Sequence, residues 1–228
     1  MPESHSPRLA VFDCDGTLVD SQHSIISSMF SAFDARVHPR PEAEAVRQVV
    51  GLPLREAMVR LLPDAGPDDH DGLVISFKEA FTDLRNKGEV HDPLYPGVPG
   101  VLEVLEAAGW VLGVATGKSR RGLLMTLETH RLTDRFQTLQ TADSGPGKPN
   151  PDMLLKAMRE TGAGPDATAM IGDTTFDMEM AKRAGTMALG VSWGYHPGEH
   201  LYSAGAQAVI GEFRDLPETI ETLGKVSK

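Results

Sequence analysis

The stretch VFDCDGTLVD, residues 11–20, indicates both the fold class and the chemistry of this chain. An apolar run ends at Asp13, a second carboxylate follows at Asp15, and the chain then turns at Gly16. Two carboxylates this close repel each other, and each loses hydration free energy when it is buried. The stretch is therefore either a solvated acidic turn or a reactive site, with a cation beside it, at the tip of a buried strand.

The composition is that of a globular protein and limits the classes of partner. The 228 residues are enough for one large domain, or for a domain with a smaller insertion. A net charge of −10 disfavours nucleic acid and anionic membranes as partners, although a bound metal ion would still allow an anionic substrate. Cys14 is the only cysteine, so no disulfide can form within the chain. Without a signal-type or membrane-spanning apolar segment, we expect a cytoplasmic protein.

Short apolar runs alternate with segments of helical periodicity over most of the chain. Strands are predicted at RLAVFD, WVLGVAT, ATAMIGD and MALGVS, with a shorter one near residues 136–141. Helices are predicted at GVLEVLEAAG, RRGLLMTLETHRL, PDMLLKAMRETG and TFDMEMAKRAG. Strands that alternate with helices of this length form right-handed βαβ units. The sequence therefore predicts an α/β fold with a Rossmann-like, mostly parallel sheet flanked by helices.

One segment interrupts this alternation directly after the first strand. Between residues 21 and 92 the pattern is helical, without a convincing strand, and the loop HDPLYPGVPG, rich in proline and glycine, marks its end. We interpret residues 21–92 as an inserted α-helical cap domain. Residues 1–20 and 93–228 then form the catalytic α/β core domain.

Polar residues end three of the predicted strands. Asp13 ends the first, Thr116 and Gly117 end WVLGVAT, and Asp173 ends ATAMIGD. Ligands of open α/β sheets bind at the carboxyl ends of the strands. We therefore expect these residues, which are distant in sequence, to meet in one crevice.

The residue types at the first strand end fit the transfer of a phosphoryl group. The carboxylate of Asp13 can attack phosphorus, and Asp15, on the same side of an extended chain, can exchange a proton with the leaving group. Backbone amides of the turn, at Cys14 and Gly16, can bind phosphate oxygens. The thiol of Cys14 should point to the opposite side and pack as a small apolar group.

Three further sites supply the remaining groups, and each has an ordinary structural alternative. Thr116 and the amide of Gly117 suit an anion at a helix start, or Thr116 is an N-cap. Lys148, in the proline- and glycine-rich GPGKPNPD, is a positive charge for phosphate or a solvated loop residue. Asp173 and Asp177, about one helical turn apart, hold a hard cation or cap a helix. Together at the ends of one sheet, these groups indicate phosphoryl transfer.

Four motifs, DCDGTLVDS, ATGKS, GKPNPD and GDTTFD, make the chain resemble the haloacid dehalogenase-like hydrolase superfamily. The inserted helices match the helical cap of that family. The resemblance implies that Asp13 is the nucleophile and that Asp15 is the general acid and base. It also implies that Thr116 and Lys148 bind the phosphate.

The same resemblance implies a Mg²⁺ site built from aspartates of the first and fourth motifs. Its ligands would be Asp13, Asp15 through its backbone carbonyl, Asp173 and Asp177. Family members that dehalogenate usually lack the second aspartate of the first motif and need no metal. Because Asp15 is present here, the resemblance disfavours dehalogenation.

Within the family, the segments LYPGVPGVLEVLEAAG and GYHPGEHL are similar to the phosphoglycolate phosphatase branch. In the cap segment VVGLPLREAM, Arg55 is a candidate contact for a distal anionic group of the substrate, or a solvated arginine at a helix start. We expect a Mg²⁺-dependent phosphatase of a small phosphorylated metabolite, acting through an aspartyl phosphate as a monomer or homodimer. The alternatives are a β-phosphoglucomutase-like sugar-phosphate mutase or a pyrophosphatase on the same scaffold. A haloacid dehalogenase and a non-catalytic phosphate-binding protein are less favoured.

Overall fold

A parallel sheet forms the centre of the molecule in the computed structural model, which describes residues 7–226. Its six strands are β1 (Arg8–Phe12), β2 (Trp110–Ala115), β3 (Thr138–Gln140), β4 (Thr168–Gly172), β5 (Met187–Val191) and β6 (Ala208–Ile210). Their order across the sheet is β3-β2-β1-β4-β5-β6, and every neighbouring pair is parallel. β1 therefore lies between β2 and β4, and all of these strands end at the same edge.

The strands are apolar because both faces of the sheet are covered. Successive residues of β1 point to opposite faces, so Ala10 and Phe12 belong to one hydrophobic core while Leu9 and Val11 belong to the other. The first core is completed by helices α5 (Val98–Ala107), α6 (Arg120–Thr129) and α10 (Leu216–Val226). The second is completed by α7 (Asp152–Thr161), α8 (Thr175–Ala184) and α9 (Gly198–Ala204).

Four helices lie between β1 and α5 in the described chain: α1 (Gln22–Ala35), α2 (Ala43–Arg47), α3 (Leu54–Leu61) and α4 (Pro67–Asn86). They share a hydrophobic cluster of their own, to which α1 contributes Phe33, α3 contributes Met58 and α4 contributes Leu73. The connection from α2 to α3 packs elsewhere, because Leu52 lies in a separate cluster with Phe176 of α8. This connection therefore joins the helical segment to the sheet-flanking helices.

The predicted α/β fold with a parallel sheet is confirmed. The predicted strand near residues 136–141 is the short β3, whereas β6 was not predicted, because a three-residue strand carries too little periodicity to detect. The helices at residues 22–86 occupy the position of the predicted insertion, and the division into core and cap domains stays a prediction. Within residues 7–226, every helix is too short or too polar to span a bilayer.

Candidate active site

The carboxyl ends of β1 and β4 bring three aspartates together. Asp13 directly follows β1, Asp173 directly follows β4, and Asp177 lies in the first turn of α8. One carboxylate oxygen of each lies within 4.8 Å of the other two, and all three side chains are buried. The parallel arrangement of the strands is what places these distant residues side by side.

Lys148 joins these aspartates from the loop between β3 and α7. Its ammonium lies 2.7 Å from Asp13 Oδ2 and 2.6 Å from Asp177 Oδ1, and its side chain is fully buried. A lysine is buried only at a large cost unless its charge is paired, so Lys148 depends on both carboxylates. Thr116, at the end of β2, is also buried, and its hydroxyl oxygen accepts the N–H of Lys118 at 3.2 Å.

Hydrogen bonds fix the orientation of Asp173 and Asp177. Asp173 accepts the Thr17 hydroxyl at Oδ1 (2.7 Å) and the N–H of Tyr195 at Oδ2 (2.9 Å). Asp177 Oδ2 accepts the N–H of Thr174 at 3.0 Å and its hydroxyl at 2.7 Å. The N-cap of α8 is Thr174 rather than Asp173, and Asp177 completes its capping box. Asp177 thus caps the helix with one oxygen and faces Lys148 with the other.

Two glycines make room for Asp173. Gly16 has φ 82°, in the left-handed region that favours glycine, and a Cβ there would overlap Asp173 Oδ2. A Cβ on Gly194, in the loop after β5, would overlap the Asp173 Cβ. The turn after β1 and the loop after β5 therefore enclose the same carboxylate.

The two amides assigned to phosphate binding in the first turn have partners within the turn. The Cys14 N–H donates to Asp13 Oδ1 at 2.6 Å, and the Gly16 N–H donates to the carbonyl of Val19 at 2.9 Å. The thiol of Cys14 lies in the hydrophobic core, where burial raises its pKa well above the usual range and keeps it protonated. Binding of a substrate by these amides stays a prediction, and it requires those internal bonds to be exchanged.

Burial is the largest influence on the pKa values of Asp13 and Asp173. It raises the pKa of Asp13 to about 7, with Lys148 opposing the rise and Asp177 adding to it. Burial also raises the pKa of Asp173 well above its usual range, and the charge of Asp13 adds to the rise. For Lys148, burial favours the neutral form, but the charges of Asp13 and Asp177 outweigh burial and raise its pKa. Lys148 is therefore charged. The ionised forms of Asp13 and Asp173 are disfavoured, because both groups are buried and lie near other carboxylates.

Asp15 is held by two residues that the sequence analysis did not assign to the site. The Ser21 hydroxyl donates to Asp15 Oδ1, and the Lys118 ammonium lies 2.6 Å from the same oxygen. Both residues stand inside recognised motifs, Ser21 in DCDGTLVDS and Lys118 in ATGKS. Their place in these motifs was the sequence signal that could have assigned them to the site. Their contacts with Asp15, however, depend on how the turns after β1 and β2 approach each other.

The buried charges of this site do not balance. It contains four carboxylates and two ammonium groups, namely Asp13, Asp15, Asp173, Asp177, Lys118 and Lys148. If all four carboxylates are ionised, two negative charges remain, and Asp13 Oδ2 and Asp177 Oδ1 share the single ammonium of Lys148. A divalent cation would neutralise the excess, and carboxylate oxygens are the ligands that hard cations prefer. Asp13, Asp173 and Asp177 therefore fit a divalent metal site.

The connection between α2 and α3 lies against the strand ends. A Cβ on Gly117 would lie 3.3 Å from the carbonyl oxygen of Gly51, and a Cβ on Gly147 would lie 2.5 Å from Pro53 Cγ. Gly117 and Gly147 belong to the two turns that carry the candidate phosphate-binding residues. The helical segment therefore touches both of these turns.

His196 ties this connection to the N-terminus of α8. Its Nδ1 accepts the N–H of Thr175 at 3.1 Å, and its Nε2 lies 3.3 Å from the carbonyl oxygen of Gln48. Burial lowers the pKa of His196, so the neutral imidazole with its proton on Nε2 satisfies both contacts. The ring also packs edge-on against Phe176, with the ring centroids 5.4 Å apart.

Arg55 lies in an exposed ion pair near the start of α3. Its Nε is 2.7 Å from Asp71 Oδ1, and 54% of its side chain is exposed. The predicted contact of Arg55 with a substrate would require this ion pair to open. That contact stays a prediction.

Comparisons with known proteins agree with this arrangement. The sequence profile of the haloacid dehalogenase-like hydrolases matches residues 10–191. A protein of Dickeya dadantii strain 3937 named "Probable phosphatase IndB" is 35% identical over 222 residues, which cover 96% of each chain. Phosphoglycolate phosphatase 1 of Pseudomonas aeruginosa is 32% identical over 219 residues, which cover 92% of this chain and 78% of the relative.

Solved structures show the same fold. The crystal structure of a hydrolase from Pseudomonas syringae superposes with a TM-score of 0.83 at 25% sequence identity, covering 94% of this chain and 98% of that one. These findings confirm the resemblance drawn from the four motifs, and the names of the relatives support phosphatase activity.

Proposed function

This chain belongs to the haloacid dehalogenase-like hydrolase family, and we propose that it is a Mg²⁺-dependent phosphatase of small phosphorylated metabolites such as 2-phosphoglycolate. One observation carries the proposal: the Lys148 ammonium lies within ion-pair distance of both Asp13 and Asp177, beside the third buried carboxylate of Asp173. Phosphoryl transfer needs a positioned nucleophile and positive charge around the phosphate oxygens. This set of residues supplies both.

Asp13 is the proposed nucleophile. One of its carboxylate oxygens attacks phosphorus and forms a new P–O bond, while the bond from phosphorus to the bridging oxygen of the substrate breaks. Lys148 would pair with a non-bridging phosphate oxygen, and the Thr116 hydroxyl would donate to another. Asp15, in its protonated form, gives its proton to the bridging oxygen, so that the leaving group departs as a neutral alcohol and Asp15 becomes a carboxylate.

The second half of the reaction restores the enzyme. A water molecule attacks phosphorus, Asp15 takes a proton from that water, and the P–O bond to Asp13 breaks to release inorganic phosphate. Ser21 and Lys118 both contact Asp15 Oδ1, which leaves Oδ2 for the substrate and then for the water. These two residues would keep Asp15 oriented through both halves.

Asp13, Asp173 and Asp177, with the backbone carbonyl of Asp15, would hold Mg²⁺. The cation supplies positive charge that neutralises and orients the oxygens of the phosphoryl group. When ionised, the four carboxylates of the site exceed the charges of Lys118 and Lys148 by two, which supports a divalent ion at this place. Dehalogenating members of the family usually lack the second aspartate of the first motif. The presence of Asp15 at that position supports phosphate rather than halide chemistry.

We also infer that residues 21–92 form a cap that limits the size of the substrate, because the connection from α2 to α3 touches the turns at Gly117 and Gly147. The single buried cysteine is compatible with the reducing cytoplasm, where small phosphorylated metabolites occur. A monomer or a homodimer is expected, and gel filtration with light scattering would distinguish them.

The test is phosphate release from a panel of phosphomonoesters, with Mg²⁺ or with a chelator. The wild type should release phosphate only with Mg²⁺, and Asp13→Asn should lose turnover by at least about 1,000-fold, as expected when a nucleophile is removed. Asp134→Asn, an exposed aspartate outside the site, is the matched control. An acid quench should trap one phosphoryl group on the peptide that carries Asp13. Activity that is indifferent to chelator, or a fully active Asp13→Asn enzyme, would reject the proposal, and an isomerised sugar phosphate in place of free phosphate would indicate a mutase.

A further inference from the structure

Lys118 is a buried cation beside the proton-transfer residue. It lies in the turn after β2, its ammonium is 2.6 Å from Asp15 Oδ1, and its side chain is 11% exposed. The backbone of the turn is fixed by the bond from the Lys118 N–H to the Thr116 hydroxyl oxygen. The ammonium itself is held by its ion pair with Asp15.

The ammonium of Lys118 has more capacity than its surroundings use. It carries three N–H donors, and within residues 7–226 its single ion-pair partner is Asp15. The second buried lysine of the site shows the contrast, since Lys148 lies between two carboxylates at 2.6 and 2.7 Å. Burial opposes the charge on Lys118, but Asp15 outweighs burial and raises its pKa. The charge of Asp92 also acts on Lys118, but Asp15 is the ion-pair partner in direct contact with its ammonium, whereas Lys148 has two such partners.

One side of Lys118 faces the helical segment. The ring of Phe81, in α4, lies with its centroid 5.8 Å from Nζ, within the range of a cation–π contact. A ligand that reaches Lys118 therefore lies between the sheet ends and α4. That is the space in which the leaving group of a phosphomonoester would be enclosed.

We propose that Lys118 binds a carboxylate on the leaving group and thereby selects phosphorylated 2-hydroxy acids over phosphomonoesters without that carboxylate. This inference rests on the proposed function, in which Asp15 contacts the bridging oxygen of the substrate. In such an acid one carbon separates the bridging oxygen from the carboxylate. Because the Lys118 ammonium lies 2.6 Å from Asp15 Oδ1, we expect it to be within reach of that carboxylate. Lys118 would then lie between two carboxylates, as Lys148 already does.

The position of Lys118 also separates this class of substrate from longer ones. In a hexose bisphosphate the second phosphate is several carbons away from the bridging oxygen, so it would extend beyond Lys118. Arg55, the candidate from sequence for a distal anion, is exposed and paired with Asp71. Lys118 is the better placed cation for a short substrate, and Arg55→Met is included below to compare the two.

The experiment compares 2-phosphoglycolate with ethyl phosphate, which has the same leaving-group skeleton without the carboxylate. Four enzymes are measured with Mg²⁺: the wild type, Lys118→Met, Lys118→Arg and Arg55→Met. Lys182→Met, which removes an exposed lysine of α8, is the charge-matched control. In Lys118→Met the ratio of kcat/KM for the two substrates should fall by about 10- to 100-fold, the size of a lost charge-assisted hydrogen bond. Lys118→Arg should keep most of the preference, because a guanidinium also pairs with a carboxylate.

An equal loss on both substrates in Lys118→Met would overturn the proposal and leave Lys118 as a residue that only positions Asp15. A collapse of the preference in Arg55→Met but not in Lys118→Met would also overturn it. Binding to the inactive Asp13→Asn enzyme, measured by calorimetry with and without Lys118→Met, tests Lys118 independently of turnover. Weaker binding of 2-phosphoglycolate with unchanged binding of ethyl phosphate supports the assignment even if no phosphomonoester is hydrolysed, and unchanged binding of both contradicts it.

Discussion

Mg²⁺ should stabilise this protein much more at about pH 8 than at about pH 5.5. Burial raises the pKa of Asp13 to about 7, so at the lower pH a proton occupies a carboxylate that the cation needs. Each pH unit below that pKa weakens the apparent affinity about tenfold, which amounts to about 30-fold at pH 5.5. Asp173, whose pKa is also raised chiefly by burial, adds to the loss in the same direction.

The size of the effect follows from mass action. With Mg²⁺ at about 100 times its dissociation constant at pH 8, binding adds about 2.7 kcal/mol to the free energy of unfolding. At pH 5.5 the same concentration is about three times the apparent dissociation constant and adds about 0.8 kcal/mol. For a chain of this length, the melting temperature should rise by about 5–10 °C at pH 8 and by about 2–3 °C at pH 5.5.

Without metal, the pH dependence has the opposite sign. The pKa of Asp13 is higher in the folded protein, about 7, than its ordinary value of 3.8. Its contribution to stability is therefore fully present below about pH 4 and is lost as the pH rises through 7. Asp13→Asn keeps the shape of the side chain and removes the charge. The variant should be more stable than the wild type at pH 8 in chelator, and it should respond less to Mg²⁺.

Differential scanning fluorimetry at both pH values, with MgCl₂ or chelator, measures all of these shifts. The surface variant Asp134→Asn should behave as the wild type, because its side chain is exposed and lies outside the site. Equal Mg²⁺ shifts at the two pH values would refute the reasoning, since they would mean that no proton competes with the cation. An Asp13→Asn protein that responds to Mg²⁺ as the wild type does would refute the choice of Asp13 as a ligand.

Three substitutions test separate parts of the structure. Gly16→Ala should lower kcat by at least about 100-fold and destabilise the protein by about 1–3 kcal/mol in urea unfolding. The reason is that φ of Gly16 is 82° and the new Cβ would overlap Asp173. Wild-type kinetics would contradict this close approach of Gly16 to Asp173. His196→Ala should raise KM by about 5- to 10-fold with little change in kcat, because the link to Gln48 is lost; a change in kcat alone would speak against that role. Leu73→Ala should destabilise the helical segment by about 2–5 kcal/mol, because Leu73 is buried in its hydrophobic cluster. In urea unfolding followed by circular dichroism, the helical signal should be lost at a lower urea concentration than in the wild type. An unchanged unfolding curve would contradict the burial of Leu73.

The meeting of Asp13 and Asp173 could be predicted because two rules apply in succession. Alternating strands and helices predict parallel strands, and parallel strands present all their carboxyl ends at one edge. Any residue that directly follows a strand is thereby placed at that edge, whatever its distance in sequence. The same reasoning fails for β6, since three residues show no usable period, and nothing in the sequence marked α9 or α10 as sheet-flanking helices.

The partners of Asp15 could not be predicted, for a different physical reason. A side chain several bonds long reaches its partner only if two turns from different parts of the chain approach at the correct distance and angle. Lys118 and Lys148 each follow a glycine, at Gly117 and Gly147, and their local sequences do not distinguish a buried lysine from a solvated one. The connection from α2 to α3 lies against both glycines, and this approach of distant segments is a tertiary property.

Asp177 shows why a structural role and a chemical role should not be weighed as competing explanations for one carboxylate. From the sequence, capping a helix and facing a charged ligand were separate interpretations of the same residue. In the structure Oδ2 accepts both donors of Thr174, and this leaves Oδ1 aimed at Lys148. A carboxylate that already caps a helix has lost its rotational freedom and its hydration, so holding a cation with the second oxygen adds little further ordering cost. The capping box of α8 therefore preorganises the site. Thr174→Ala should weaken Mg²⁺ binding, although the Thr174 hydroxyl donates to Asp177 Oδ2 and not to Oδ1, the oxygen that faces Lys148.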